Sequence, residues 1–263
     1  MAMKTEEAKG LRELVGVVLD AMPIADEEQP LWYRGVSRQK YEQLPKLLRD
    51  GKSNKEVLER EARLLTRFRQ RSLPYWPEGH PQHDWEHLFA MQHNEFPTRL
   101  LDWTENLYIA AYFALYPREQ PPPNDDPPTV WVINPVRWNR ATITGLDDEV
   151  GILTTRDETL ESYAPDTTRL RQRRKPPVAL YGTHNTSRVV SQRGTFMVWG
   201  TDTRSLEAIS QEQDADLLRV TLSGDREEMF RDLRRVGFTE TMVFPELPYL
   251  AKELTRAEGW SVR

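Results

Sequence analysis

Three short stretches of the chain hold side chains that can do chemistry. In the first, Tyr33-Arg34-Gly35, the arginine offers a planar fork of donors suited to a phosphate or a ribose-phosphate bridge, and the glycine lets the backbone pass close to a ligand. The second runs from Gln92-His93 through Pro97-Thr98-Arg99-Leu100-Leu101-Asp102-Trp103-Thr104, where polar groups crowd between two apolar runs. Buried polar groups need partners, so such a cluster is either a hydrogen-bonded knot or a binding site. As a knot, Arg99 and Asp102 would form an ion pair, and Asp102 or Thr104 would cap the helix that follows. The third leads from Arg188 to Ser191-Gln192-Arg193-Gly194-Thr195-Phe196, where Gln192 can donate and accept hydrogen bonds but cannot take a proton. A fourth pattern, His83-Asp84-Trp85-Glu86-His87, has the H-x-x-E-H order of inverted zinc proteases. It lacks a local third ligand, so surface histidines on a helix are the expected reading, and no metal site is assigned.

These residues must be held by elements that the hydrophobic pattern outlines. Leu11, Leu14, Val15, Val18 and Leu19 recur at helical spacing within residues 6–22. Leu31 to Val36 is a short aromatic run interrupted by glycine, expected to be a strand entering a turn. A long helix is expected over residues 53–72, capped by Ser53 or Asn54, and another near residues 84–93. Pro97 ends the latter, and Thr98 to Asp102 reads as a turn or short strand. Residues 106–116 (NLYIAAYFALY) form an apolar helix bounded by Pro117. After a proline-rich loop at 117–128 come strands at 129–133, 195–199 and 217–222. A helix at 226–236 with Gly237 as its C-cap follows, then a last helix near 249–258. The segment from Asp147 to Lys175 is polar and carries no periodic signal. Few regular βαβ units are present, so the expected class is α+β.

Composition narrows the possibilities. The 263 residues can bury a sizeable core, and 8 Trp, 9 Tyr and 8 Phe supply large apolar surfaces. With no cysteine, disulfides, thiolate catalysis and cysteine-based zinc sites are excluded. The charged N-terminal stretch does not read as a signal peptide, and no run approaches the roughly 20 apolar residues of a membrane helix, so a cytoplasmic location without membrane contact is expected. A net charge of −5 gives no global case for nucleic-acid binding. The local exception is Arg169 to Lys175, with five cations in seven residues, and its ordinary reading is a solvated loop.

Taken together, these segments resemble the FRG family of bacterial proteins. Tyr33-Arg34-Gly35 matches its (F/Y)RG signature, followed by Gln92-His93, the block Pro97 to Thr104, the run Ala110 to Phe113, Gln192-x-Gly194-x-Phe196, and a closing Phe244-Pro245-Glu246-Leu247. Asn94-Glu95-Phe96 stands where family members often have glycine before the Pro-Thr pair. On this resemblance the chain divides into an N-terminal helix (1–29), an FRG-like domain (30–250) with the proline-rich loop inside it, and a C-terminal helix or tail (251–263).

The order of elements is also similar to ADP-ribosyltransferases of the Arg-Ser-Glu type. That likeness implies one compact domain with a split β-sheet and flanking helices, and NAD as substrate. Carried over by position, Arg34 would hold the NAD phosphates and ribose, Thr98 or Thr104 would shape the nicotinamide pocket, and Gln192 would stand where those enzymes have a glutamate. Asp102 would supply the charge that Gln192 lacks. Arg34, Asp102 and Gln192 are thus the expected catalytic set, with Tyr33, Gly35, His93, Thr98, Arg99, Thr104 and Gly194 around the nucleotide. The activity so implied is an NAD-dependent ADP-ribosyltransferase, a toxin or phage-defence effector modifying a nucleic acid or a protein. The alternatives are a nucleotide- or nucleic-acid-binding module without chemistry, and a zinc-dependent hydrolase built on His83, Glu86 and His87.

Overall fold

A computed structural model describes residues 3–23, 29–51, 53–76, 79–117, 126–143, 150–164, 175–183 and 186–260. Strands β1 (Lys4–Ala8), β2 (Trp32–Val36), β3 (Leu100–Thr104), β4 (Thr129–Ile133), β5 (Val178–Leu180), β6 (Gly194–Val198) and β7 (Leu217–Leu222) form a seven-stranded sheet in the order β1-β7-β4-β2-β3-β6-β5. Only β1 and β7 run parallel; the other neighbours are antiparallel. In chain order the helices are α1 (Leu11–Ala21), α2 (Asn54–Ser72), α3 (Asp84–His93), α4 (Leu107–Leu115), α5 (Pro135–Thr142), α6 (Glu158–Glu161), α7 (Ser187–Ser191), α8 (Leu206–Gln213), α9 (Arg226–Arg235), α10 (Glu240–Val243) and α11 (Leu247–Ala257). The fold is α+β. No helix among the described residues is long and apolar enough to cross a membrane.

Alternation along β4 shows how the core divides. Val130 and Val132 face one side and pack with Leu14 of α1, Ile109 and Tyr112 of α4, and Leu233 of α9. Trp131 and Ile133 face the other, with Trp32, Trp103, Trp138 and Trp199. A strand buried on both faces must be apolar throughout, which is why TVWVI stands out in the sequence.

The sheet forks in its middle. Strand β2 pairs with β4 along its whole length, and β3 with β6 likewise. Between β2 and β3 the only registered pair is Tyr33↔Thr104. Helix α4 lies on β2 at this point, and its approach explains Gly35. A Cβ there would overlap the Ala110 carbonyl, standing 2.7 Å from the carbonyl carbon and 2.8 Å from Ala114 N. The glycine makes room for a helix.

Some elements differ from the sequence reading. A strand comes before the expected helix and takes its first residues: Lys4 to Ala8 pairs with Leu218 to Leu222 at the sheet edge, and α1 starts only at Leu11. For the segment 98–102, read as a turn or short strand, the structure has the strand: β3 covers Leu100–Thr104. Helix α4 is capped by neither Asp102 nor Thr104. Asn106 does this, its side-chain oxygen accepting from Tyr108 N (2.9 Å) and Ile109 N (3.2 Å). Ser53 caps α2, accepting from Glu56 N at 3.4 Å. Most of the proline-rich loop (118–125) and of the basic run (169–174) lies outside the described residues.

Candidate functional site

A cavity of about 330 Å³ opens at the fork of the sheet. Strand β2 contributes Tyr33, Arg34 and Gly35 to its wall, β3 contributes Asp102, Trp103 and Thr104, and the last turn of α3 contributes Gln92 and His93. Arg188 of α7 and Gln192 just beyond it close the opposite side. Side chains from three distant stretches of sequence therefore meet on one surface.

Arg34 spans the gap where β2 and β3 part. Its Nη1 donates to the Asp102 carbonyl (2.6 Å) and its Nε to Gln43 Oε1 (3.1 Å). Burial pulls its pKa down to about 10, an effect opposed by the Asp102 charge and aided by Arg49. The guanidinium is still a full cation at neutral pH.

Asp102 is open to solvent but ringed by protein, as expected at the floor of a concave site. This surrounding protein raises its pKa, while Arg34, a hydrogen bond from Gln92 and Arg188 pull it back. The Gln92 bond is itself aimed. Thr98 Oγ1 accepts from Leu100 N (3.1 Å) and donates to Gln92 Oε1, which leaves the Gln92 amide nitrogen to donate to Asp102 Oδ2 (2.8 Å). Thr98 is fully buried and reaches the cavity only through this relay. His93 has its pKa lowered by burial and by Arg188, partly offset by Glu246 and Asp102, which favours the neutral imidazole.

On the far wall, Thr104 Oγ1 donates to Gln192 O (2.6 Å) and accepts from Asn106 N (3.0 Å). The Gln192 side chain donates to Val243 O (3.0 Å), which ties α10 to the site. Arg188 lies over the Phe244 ring, 4.9 Å from its centroid. Arg193 and Glu95, two of the three non-glycine residues with positive φ among those described, flank this cavity: Glu95 lines it and Arg193 follows Gln192. Such backbone conformations are costly and concentrate at functional turns.

Besides Thr98, two expected members are not on the wall. Gly194 stands opposite Thr104 in the sheet, with a Cβ position 3.3 Å from Val189 Cγ1. Arg99 is buried behind the sheet and pairs with Glu61 of α2, not with Asp102: its Nε donates to Glu61 Oε1 (2.8 Å) and Oε2 (3.0 Å), and its Nη1 to Tyr163 O (3.1 Å). A guanidinium so enclosed cannot reach a ligand in the cavity. The H-x-x-E-H pattern opens α3. Glu86 accepts from Gln82 N (2.7 Å) and His83 N (3.3 Å), and His87 donates from Nδ1 to His83 O (2.9 Å). His87 is buried against Phe68, so it is not the surface residue expected. No group of three His, Asp or Glu side chains among the described residues could hold a metal ion.

The residues that build the β2 and β3 walls fall in the range where a known domain profile matches, 29–122. The matching profile is that of the FRG domain. No curated protein and no solved structure matches the chain. The FRG segment supplies Arg34, Gln92, His93, Asp102 and Thr104, whereas Arg188 and Gln192 come from beyond it and complete the cavity. Gln43, inside the FRG segment, also acts at the site by holding Arg34. Nothing in the sequence signals Gln43, because its role depends on how the loop after β2 folds back.

Proposed function

We propose that this cavity binds a pyrophosphate-linked nucleotide of the NAD type and breaks its glycosidic bond, in the manner of an ADP-ribosyltransferase. The observation that carries this reading is the meeting of Arg34, Asp102 and Gln192 on one concave surface. Its volume, about 330 Å³, falls at the small end of ligand pockets and suits one nucleotide half. Arg34 and Arg188 provide cations for phosphate oxygens. As the bond from ribose C1′ to the nicotinamide nitrogen breaks, its electron pair leaves with the neutral nicotinamide, and positive charge builds on the ribose. The Asp102 carboxylate, held by Gln92, stabilises that charge. An acceptor hydroxyl or water then bonds to C1′, and neutral His93 takes its proton.

Nicotinamide release from NAD by the purified chain tests this reading. Asp102→Asn keeps the geometry and removes the charge, and it should lower the rate about 100-fold or more, the scale for losing one electrostatic stabiliser. Arg34→Ala should abolish release, with the Asn variant guarding against mere unfolding. Release no faster in the native chain than in Asp102→Asn would rule the reaction out. A second reading, nucleotide binding without chemistry, is favoured by one contact: the Gln192 amide is committed to Val243 O. Calorimetric binding of ADP-ribose without nicotinamide release would select it.

A further inference from the structure

A second charged surface lies on α2, outside the cavity. Arg60, Arg63, Arg67 and Arg71 recur at three- and four-residue steps, so they share one helix face and span about 16 Å at 1.5 Å per residue. All four are exposed. Arg60 meets Asp50 at 3.3 Å and Arg63 meets Glu59 at 4.0 Å, both exposed pairs of little strength. Arg67 and Arg71 have no carboxylate partner among the described residues. In a chain of net charge −5 this stripe is a local reversal of sign.

The stripe borders a groove of about 420 Å³. Leu47, Leu64 and Pro97 give it apolar wall, and Lys46, Arg60, Arg63 and Arg67 give it cationic wall. Tyr75, just past the end of α2, is 81% exposed, an aromatic ring with no ring or cation stacked on it among the described residues. The groove also reaches the cavity's edge: Lys46 Nζ donates to Glu95 O (2.8 Å), and Glu95 lines the cavity.

We propose that the α2 face binds the backbone of a single-stranded nucleic acid and holds it at the mouth of the cavity. A row of arginines matches a row of phosphates. Apolar wall and an exposed tyrosine match unpaired bases, which stack where paired bases cannot. An acidic peptide would satisfy the arginines but would leave the ring and the apolar wall without a fitting partner. The binding stands on this surface alone; the strand's service as acceptor rests on the transferase reading.

Fluorescence anisotropy of a fluorescein-labelled single-stranded oligonucleotide of mixed sequence, with the full chain and no NAD, tests it. Binding is expected to weaken with salt at a log–log slope of about −2 to −3, for three or four phosphates at about −0.7 each. Arg63→Glu with Arg67→Glu should weaken binding at least tenfold, and Tyr75→Ala severalfold. Arg235→Glu on α9, remote from the groove, should leave it unchanged. Thermal unfolding of each variant checks that it is folded. No binding at low salt, native affinity in the double arginine variant, or equal competition by polyglutamate would overturn the proposal. Oligonucleotide binding without nicotinamide release would end the transferase reading and leave this one standing, and release without binding would do the reverse.

Discussion

At Asp102 the protein around the carboxylate opposes its ionisation, while Arg34, Gln92 and Arg188 favour it, and the balance leaves the pKa above the ordinary aspartate value of 3.8. A carboxyl whose folded pKa is raised binds its proton more tightly in the native state. Its stabilising contribution is therefore complete below pH 3.8 and is lost as pH rises through the raised value. Asp102→Asn removes that dependence. The variant should melt with the native chain at acid pH and about 1–3 °C above it at pH 7, a small effect because the carboxylate is open to water. Differential scanning across pH reads this, and a variant that melts lower at pH 7 would contradict it. A carboxylate kept ionised at a cost to stability is what a reacting site requires. His93 has the opposite shift, lowered from 6.5. If it takes the acceptor's proton, ADP-ribosyl transfer should fall as pH drops through a value below 6.5, and His93→Gln should flatten that acid limb.

Each element carrying the site is anchored by a contact that does no chemistry. Arg99 joins β3 to α2 through Glu61, with both side chains almost wholly buried. Arg99→Met would leave the Glu61 carboxylate buried without a partner and should cost about 3–5 kcal/mol in chemical denaturation. Adding Glu61→Met should restore much of the loss, since an apolar pair has no charge to desolvate. Gly35→Ala should cost at least about 1–3 kcal/mol by forcing α4 off β2, whatever its effect on ligands. These two residues also mark how far the sequence could be read. Helices α2, α3, α4 and α9 were legible to within a residue or two, because caps and 3.6-residue periodicity are local. Strand β1 was not: KTEEA carries no apolar pattern, and what fixes it is backbone pairing with β7 at the far end of the chain. Nor could sequence tell that Gly35 serves helix packing, or that the partner of Arg99 is Glu61 on another helix. The motif block revealed Arg34, Gln92, His93 and Asp102 as residues of interest. Their meeting with Arg188 and Gln192 depends on the strand order β2-β3-β6, which only the folded sheet supplies.

Across the whole molecule, the strands pair as two half-sheets that share one registered pair. The pair Tyr33↔Thr104 and the bond from Arg34 to the Asp102 carbonyl link β1-β7-β4-β2 to β3-β6-β5 at the fork, beside the apolar cluster of Trp32 and Trp131 with Leu101 and Trp103 that spans it. Arg34 thus closes the scaffold and faces the cavity at once, so a ligand gripping its guanidinium would also act on the fork. Arg34→Met keeps the length of the side chain and removes its donors. A hydrogen bond from a charged group contributes about 1.5–3 kcal/mol, so amides of β2 and β3 should exchange with deuterium about 10- to 100-fold faster in the variant. Amides of β4 and β7, paired along their full length, should keep native rates. In the native chain, a bound nucleotide should slow exchange in β2 and β3 specifically, because binding to the closed state stabilises it. Exchange that quickens equally in every strand would mean that Arg34 supports global stability and that the fork is not a separate opening unit. Exchange confined to the fork would mean that the cavity and the weakest seam of the sheet are one structure, opened and closed by the same side chain.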